Sequence, residues 1–248
     1  MKIVAWNVRQ GGGPRASRIV DAIVRLRPDV VLITEYRETG RARLRELLDA
    51  HGYAATHCTP DPRGGYEALL LAASTPVELG EVTYNAADDG HRFLHVTLPR
   101  FGWEIGAAYV PNAAPRSTAK QEMWSFLTDT AAPALRHRRA VLIGDFNTGL
   151  HYRDETGKTF VCADDMQRLL DSGWRDAWAC THPRELRPPS SWWSNAGNGF
   201  RLDHCFMSPA APEPTSVEYA AELDGSLLGG RGGLSDHSPL IIDLNTPG

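Results

Sequence analysis

The 248-residue chain has little lysine. Only Lys2, Lys120 and Lys158 are lysines, and the rest of its 26 basic residues are arginines. Against 30 acidic residues the formal net charge is -4. A protein that coats nucleic acid through bulk positive charge is thereby excluded. Cysteine is scarce as well. Cys58, Cys162, Cys180 and Cys205 stand too far apart for a zinc knuckle or a redox Cys-x-x-Cys pair. Scattered thiols in a chain of this length fit a reducing compartment better than a disulfide scaffold. No run approaches the roughly 18 apolar residues that a membrane-spanning helix requires. Met1 leads directly into Lys2-Ile3-Val4-Ala5-Trp6, without the long apolar core of a signal peptide. The expectation is a cytoplasmic monomer that does not associate with membranes.

What is there is a folded globular composition, 42% hydrophobic and 23% charged, which excludes disorder, collagen and a coiled-coil rod. Neither an internal repeat nor a long linker divides the chain, so one domain over residues 1–248 is expected. The arginine bias goes with a chain rich in alanine, glycine and proline, or with phosphate recognition, for which the guanidinium fork is suited. Charge is unevenly spread. Residues 1–45 hold ten basic and four acidic side chains, a sum of +6, which leaves -10 for the rest.

Short apolar runs alternate with helical patterns. Strands are expected at Ile3–Val8, Asp29–Glu35, Ala68–Ala73, Val77–Tyr84, Arg92–Leu98, Trp103–Val110, Ala140–Phe146, Arg201–Met207, Val217–Ala220 and Leu240–Leu244. A glycine-rich turn, Gly11-Gly12-Gly13-Pro14, follows the first of them. Helical spacing marks Ile19, Ile23 and Leu26, stopped by Pro28, and Leu44, Leu47 and Leu48, ended near Gly52. Two more helices are expected over Thr118–Thr130 and Ala163–Leu170. So many strands with few helices fit two sheets packed face to face with helices outside.

Polar residues stand where buried strands end, and the loop after a strand opens to solvent. Asn7, Glu35, Tyr109, Asp145 and Asn147 hold such places, Asp203 lies within a strand, and Asp236 and His237 precede the last one. Singly, each has an ordinary reading as a turn former or structural histidine. Together they ask for a common explanation.

Six segments supply one: Trp6-Asn7-Val8, Leu32-Ile33-Thr34-Glu35, Ala108-Tyr109-Val110-Pro111-Asn112, Gly144-Asp145-Phe146-Asn147, Arg201-Leu202-Asp203-His204 and Ser235-Asp236-His237-Ser238-Pro239. In this order, over nearly the whole chain, they resemble the endonuclease/exonuclease/phosphatase superfamily, and within it the exonuclease III-like, apurinic endonuclease-like branch. The resemblance implies a four-layer α/β/β/α sandwich, two packed mixed β-sheets flanked by helices as in deoxyribonuclease I. It also implies hydrolysis of phosphoester bonds, in DNA for this branch, with Mg2+ or, as a substitute, Mn2+.

The same resemblance implies the roles. Glu35 would be the principal metal ligand and Asp236 a ligand or near neighbour of the metal, since magnesium prefers oxygen and needs only one or two carboxylates. Asp145 would orient or deprotonate the attacking water. Asn147 and Asn7 would donate to the phosphate and fix the carboxylates. His237, as the cation, would bind phosphoryl oxygens, with Asp203 holding its ring. Tyr109, which marks this branch, would bind phosphate or position the water, and Asn112 would be a second phosphate contact.

The chain departs from the pattern at Thr34, where glutamine is usual, and at Arg9, where many apurinic endonucleases carry an acidic or amide residue. Arg9 either exchanges a metal contact for a phosphate contact or faces water. Trp192, Trp193 and Phe200 resemble the wall of a pocket for a base-less sugar; they could also stack on bases or fill the core. Arg231, in Gly229-Gly230-Arg231-Gly232-Gly233, either reaches phosphate or sits on a flexible surface loop. Whether Arg9, Arg15, Arg18, Arg37 or Arg231 lines the metal cleft is open on sequence alone. Two other readings stand beside a DNA phosphodiesterase. One is a same-fold enzyme on a small phosphoester such as a phospholipid head group, an inositol phosphate or a nucleotide, which the acidic net charge favours. The other is a non-catalytic binding module.

Overall fold

The computed structural model describes residues 1–37, 43–59, 67–86, 89–113 and 117–246. In chain order its strands are β1 (Lys2–Asn7), β2 (Val30–Tyr36), β3 (Ala55–Cys58), β4 (Ala68–Ala73), β5 (Glu78–Leu79), β6 (Phe93–Leu98), β7 (Trp103–Tyr109) and β8 (Ala140–Asp145). Then come β9 (Arg175–Asp176), β10 (Trp192–Trp193), β11 (Gly199–Phe200), β12 (Asp203–Met207), β13 (Ser216–Tyr219), β14 (Glu222–Leu223), β15 (Ser226–Leu227) and β16 (Leu240–Asp243). The helices are α1 (Ala16–Leu26), α2 (Arg43–Ala50), α3 (Ser117–Phe126), α4 (Ala132–Leu135), α5 (Ala163–Asp171) and α6 (Ala177–Thr181).

Two six-stranded sheets carry the molecule, ordered β13-β16-β1-β2-β4-β3 and β5-β6-β7-β8-β12-β9. Each has one parallel pair at its centre, β1 with β2 and β7 with β8, among antiparallel neighbours. Alternation along the strands decides the layers. Ile3 and Ala5 of β1 face Ile105, Ala107, Val141 and Ile143 of the other sheet in a shared apolar core. Trp6, Val31 and Ile33 turn the opposite way, onto Ile19, Ile23, Leu44 and Leu48 of α1 and α2. On the far side Ala108, Leu142 and Phe206 turn outward onto Met123, Trp124 and Leu127 and onto Met166 and Leu169. The result is helices, sheet, sheet, helices: the expected four-layer sandwich.

Several local expectations are corrected. The strand expected over Val77–Tyr84 is only the two-residue β5. There the His95 ring presses on Gly80, and the Val82 amide donates to His95 Nδ1 at 3.1 Å instead of continuing a ladder. The helix expected over Thr118–Thr130 runs on to Leu135, with a π turn at Leu127–Ala131. Pro133 follows that turn and has no N–H to return to the preceding carbonyls. The strand expected from Arg201 starts at Asp203; Arg201 is instead buried between Asp154 and Asp176, with Nε 2.7 Å from Asp154 Oδ1. The edge strand β3, all half-buried, has no strong pattern and was not expected.

Gly144 shows how closely the sheet is built around the polar strand ends. Its φ is 143°, and a Cβ there would stand 2.1 Å from the carbonyl oxygen of Ala108 on β7. Gly144→Ala is therefore expected to lower stability by about 3 kcal/mol, read as a fall in the urea midpoint and in Tm. An unchanged midpoint would show that β7 and β8 are not this close.

Candidate active site

The two sheets meet at the C-terminal ends of their parallel pairs, and each end delivers a polar side chain. In one sheet Asn7 closes β1 and pairs with Thr34 of β2. The register between β2 and β4 shifts between Ile33 and Tyr36, and within that bulge Glu35 takes a φ of 56°. A bulge re-aims a side chain, and left-handed backbone at a glutamate marks a position held by its surroundings. In the other sheet Tyr109, Asp145 and Asp203 stand side by side across β7, β8 and β12: Tyr109 is in register with Asp145, and Asp145 with Asp203.

Asn7 ties the halves together. It is 1% exposed, and its Nδ2 donates to Glu35 Oε1 at 3.0 Å and to Asp145 Oδ2 at 2.9 Å. Its Oδ1 accepts from the Arg9 amide at 2.9 Å. Both amide hydrogens are spent on carboxylates, so Asn7 fixes the acids. Glu35 also accepts from the Gln10 amide at 2.7 Å and from the Tyr109 hydroxyl at 3.3 Å. Asn147 caps Asp145 through its backbone amide, 2.9 Å from Oδ1, and donates Nδ2 to the Val110 carbonyl at 2.9 Å.

His237 completes the cluster. Its Nδ1 lies 2.8 Å from Asp203 Oδ2, and its Nε2 lies 4.0 Å from Asp145 Oδ2. The segment that carries it is clamped onto β1: Trp6 Nε1 donates to the His237 carbonyl at 2.8 Å, and Ser235 Oγ to the Asn7 carbonyl at 2.7 Å. Burial disfavours the imidazolium, but Asp203, Asp145 and Asp236 outweigh it and raise His237 to about 10. Burial and the adjacent Asp203 push Asp145 up, opposed by His237, Asn7 and Asn147. Burial likewise raises the Tyr109 hydroxyl, with Glu35 and Asp145 adding to it.

Glu35, Tyr109, Asn112, Asp145, Asn147, Asp236 and His237 line one cavity of about 380 Å³, together with Trp192 and Phe200. Trp192 donates Nε1 to Asp236 Oδ2 at 3.2 Å and packs on Phe200 at 5.7 Å. Three expected contacts are not brought to the cavity. Trp193 is half-buried against Gly230, a Cβ there lying 3.3 Å from its ring. Arg231 is exposed, and so is Arg9, whose backbone rather than its side chain serves the site. Arg15 is a brace: its guanidinium donates to the carbonyls of Val8, Arg9 and Leu234, joining the turn after β1 to the segment before Asp236.

The donor set fits a hard divalent cation. Glu35 and Asp236 face the cavity with oxygen ligands only, and neither is ion-paired among the described residues. Three carboxylates, Asp145, Asp203 and Asp236, act on the His237 imidazole, and among the described residues Lys120 is the only ammonium on the cavity wall. Asp145, Asp203 and His237 are also close enough to hold an ion. Those three are buried, and Asp203 is engaged by His237; Glu35 and Asp236 are half-buried and open to the cavity, which makes them the better anchors.

Lys120 and Arg92 were missed by sequence reasoning. Lys120 is 2% exposed on α3, donates to the Asn147 carbonyl and is lowered by burial to about 8. Its signal was available: a rare lysine on the same face as Met123 and Trp124. Arg92, paired with Asp89 and Glu67, lies 4.9 Å under the Tyr109 ring. Thr159, Phe160 and Val161 form another wall of the cavity from a loop that carried no signal.

A carboxylate-lined cleft at the junction of two six-stranded sheets defines the deoxyribonuclease I-like class of α/β sandwich. The model of the Endonuclease/Exonuclease/phosphatase family matches residues 4–237, and the chain belongs to that family. Among solved structures it is similar to the 3'-5' exonuclease NExo of Neisseria meningitidis, at 23% identity and a TM-score of 0.80 over 99% of this chain and 100% of that one. A 3' phosphatase NExo from Neisseria bound to product DNA hairpin matches at 22% identity and a TM-score of 0.79, covering 99% of both chains. An AP endonuclease from Archaeoglobus fulgidus matches at 18% identity and a TM-score of 0.76, over 99% of this chain and 100% of that one. These likenesses establish the fold. No curated protein matches the chain by sequence.

The raised His237 has a pH signature. A histidine whose folded pKa exceeds its unfolded value of about 6.5 stabilises the fold fully below that pH and loses its contribution as pH rises to about 10. NMR titration of the metal-free protein is expected to place His237 near the upper value, and Asp203→Asn to bring it toward the ordinary histidine range. A His237 midpoint unmoved by Asp203→Asn would remove Asp203 as its partner.

Proposed function

We propose that the chain is a divalent-metal-dependent hydrolase of phosphoester bonds in DNA, of the exonuclease III-like kind. The observation that carries this reading is the Asn7 bridge, which holds Glu35 and Asp145 at one cavity that Tyr109 and the Asp203-bonded His237 also line. Glu35 and Asp236 would hold Mg2+, or Mn2+ in its place. Bound there, the ion supplies positive charge to the phosphate and to the leaving oxygen.

The chain's own residues divide the remaining work. Asp145, raised toward neutrality by burial and Asp203, is suited to orient a water and take its proton. His237, held cationic by Asp203, offers Nε2–H to phosphoryl oxygens. Asn147 has one amide hydrogen on Val110 and the other for substrate. Tyr109 hydrogen-bonds Glu35 and fixes its carboxylate. Asn112 and Lys120 face the same space and are placed to meet the rest of the phosphate.

DNA is favoured over a small ester by Trp192 and Phe200 on the cavity wall, whose rings suit a sugar or base. The activities named for the similar folds, a 3'-5' exonuclease, a 3' phosphatase and an AP endonuclease, support the same substrate.

Asp145→Asn and His237→Ala are each expected to lower kcat by at least about 100-fold, measured on a panel of abasic duplex, nicked and linear DNA, RNA and an aryl phosphodiester. EDTA is expected to abolish turnover and added Mg2+ or Mn2+ to restore it, with Glu35→Gln raising the metal concentration needed. Full activity of Asp145→Asn would overturn the assignment of the site. Cleavage confined to the aryl ester would overturn DNA as substrate.

A further inference from the structure

Between β8 and α5 the chain forms a strap, residues 149–161, pinned from within by two buried carboxylates. Asp154 accepts from the Leu150 amide at 2.7 Å and from Arg201 Nε at 2.7 Å. Glu155, 1% exposed, accepts from the Thr159 and Phe160 amides at 2.7 and 3.1 Å, from Thr159 Oγ1 at 2.5 Å, and from His151 Nδ1 at 3.1 Å. A strap with this many internal bonds is a rigid platform.

The strap does two things with that rigidity. It sets Phe160 and Val161 into the cavity wall. It also holds Tyr152 outward, 69% exposed, at a φ of 61° that bulky side chains avoid, fixed by the Tyr152 amide on the Gly157 carbonyl at 3.0 Å. A continuous line of rings joins this exposed tyrosine to the proposed catalytic histidine. His237 and Trp192 are 6.4 Å apart, Trp192 and Phe200 5.7 Å, and Phe200 and Phe160 5.8 Å. Phe160 and His151 follow at 6.4 Å, then His151 and Tyr152 at 6.5 Å. The strap's cations are Arg153, next to Tyr152 in the chain, and Lys158, next to the Gly157 whose carbonyl the Tyr152 amide meets, while its only acids, Asp154 and Glu155, are buried and engaged.

Exposed rings beside cations, leading into a phosphate-binding cleft, are how proteins grip a single strand: bases stack on π faces, and the backbone meets positive charge. A duplex hides its base faces and is held through many phosphate contacts, whereas the strap offers an exposed ring and only two cations. The geometry points to the strap as a binding platform for single-stranded DNA, with Tyr152 stacking on a base next to the nucleotide that occupies the cavity. This rests on the reading of the site as a DNA phosphoesterase.

The test is a series of single-stranded oligonucleotides of two to eight nucleotides, with steady-state kinetics in Mg2+. KM is expected to fall with length in the wild type. Tyr152→Asn removes the ring but accepts the left-handed backbone; it is expected to raise KM about tenfold on the longer strands and to flatten the length dependence. Tyr152→Phe, which keeps the ring, is expected to preserve it. The double variant Arg153→Gln, Lys158→Gln is expected to reduce the dependence of KM on salt. A wild-type KM for Tyr152→Asn, or an equal loss on blunt duplex, would overturn the platform while leaving a DNA phosphoesterase in place. A wild type that turns over only the aryl ester would overturn both.

Discussion

One carboxamide joins the halves of the site. Asn7 sits at the end of a strand in one sheet and holds Glu35 of that sheet and Asp145 of the other. Two acids drawn this close would repel each other in the cavity between the sheets. A single donor group that bonds both makes their separation a matter of covalent geometry. Everything else adjusts to it: the bulge in β2 that turns Glu35 inward, the cap of Asn147 on Asp145, and the clamp of Trp6 and Ser235 on the segment bearing Asp236 and His237.

Electrostatics follows from that placement. Asp145 and Asp203 are direct neighbours on antiparallel strands, buried, with like charge. The conflict is settled by a third group. His237 bonds Asp203 through one ring nitrogen and turns the other toward Asp145, so one imidazolium serves two carboxylates. Charge still remains on the acidic side at Glu35 and Asp236, which is the condition a hard cation requires. The overall charge of -4 therefore says little about the partner, because part of the acid is concentrated in the site.

The arginines answer the same question differently. The +6 segment at the N-terminus suggests a surface for phosphate, yet Arg15 is spent on three carbonyls as a brace, and the Arg9 side chain stands in the open. Arg201 is wholly inside, between Asp154 and Asp176, where it fastens the strap to the sheet. Under the proposed function, phosphate contact would fall instead to residues less conspicuous in the chain: Lys120 on a helix face, and Arg153 and Lys158 on the strap.

Strand alternation and helical spacing were enough to read the layers, because burial on two faces of a sheet imposes a period of two that survives in any local window. The strand ends were legible too, since Asn7, Glu35, Tyr109, Asp145, Asp203 and His237 interrupt apolar runs in a recognisable order. Lost to the sequence were contacts set by chain paths that local pattern does not encode: β5 cut short by His95, Trp193 turned to Gly230 while Trp192 faces the cavity, and the strap folded around Glu155. The chain's letters name the chemistry, because carboxylates, amides and imidazole keep their character wherever they stand. Which of them meet, at what distance and in what charge state, depends on two sheets closing against each other across a hundred residues or more of chain, and that closure is a property of the packed fold alone.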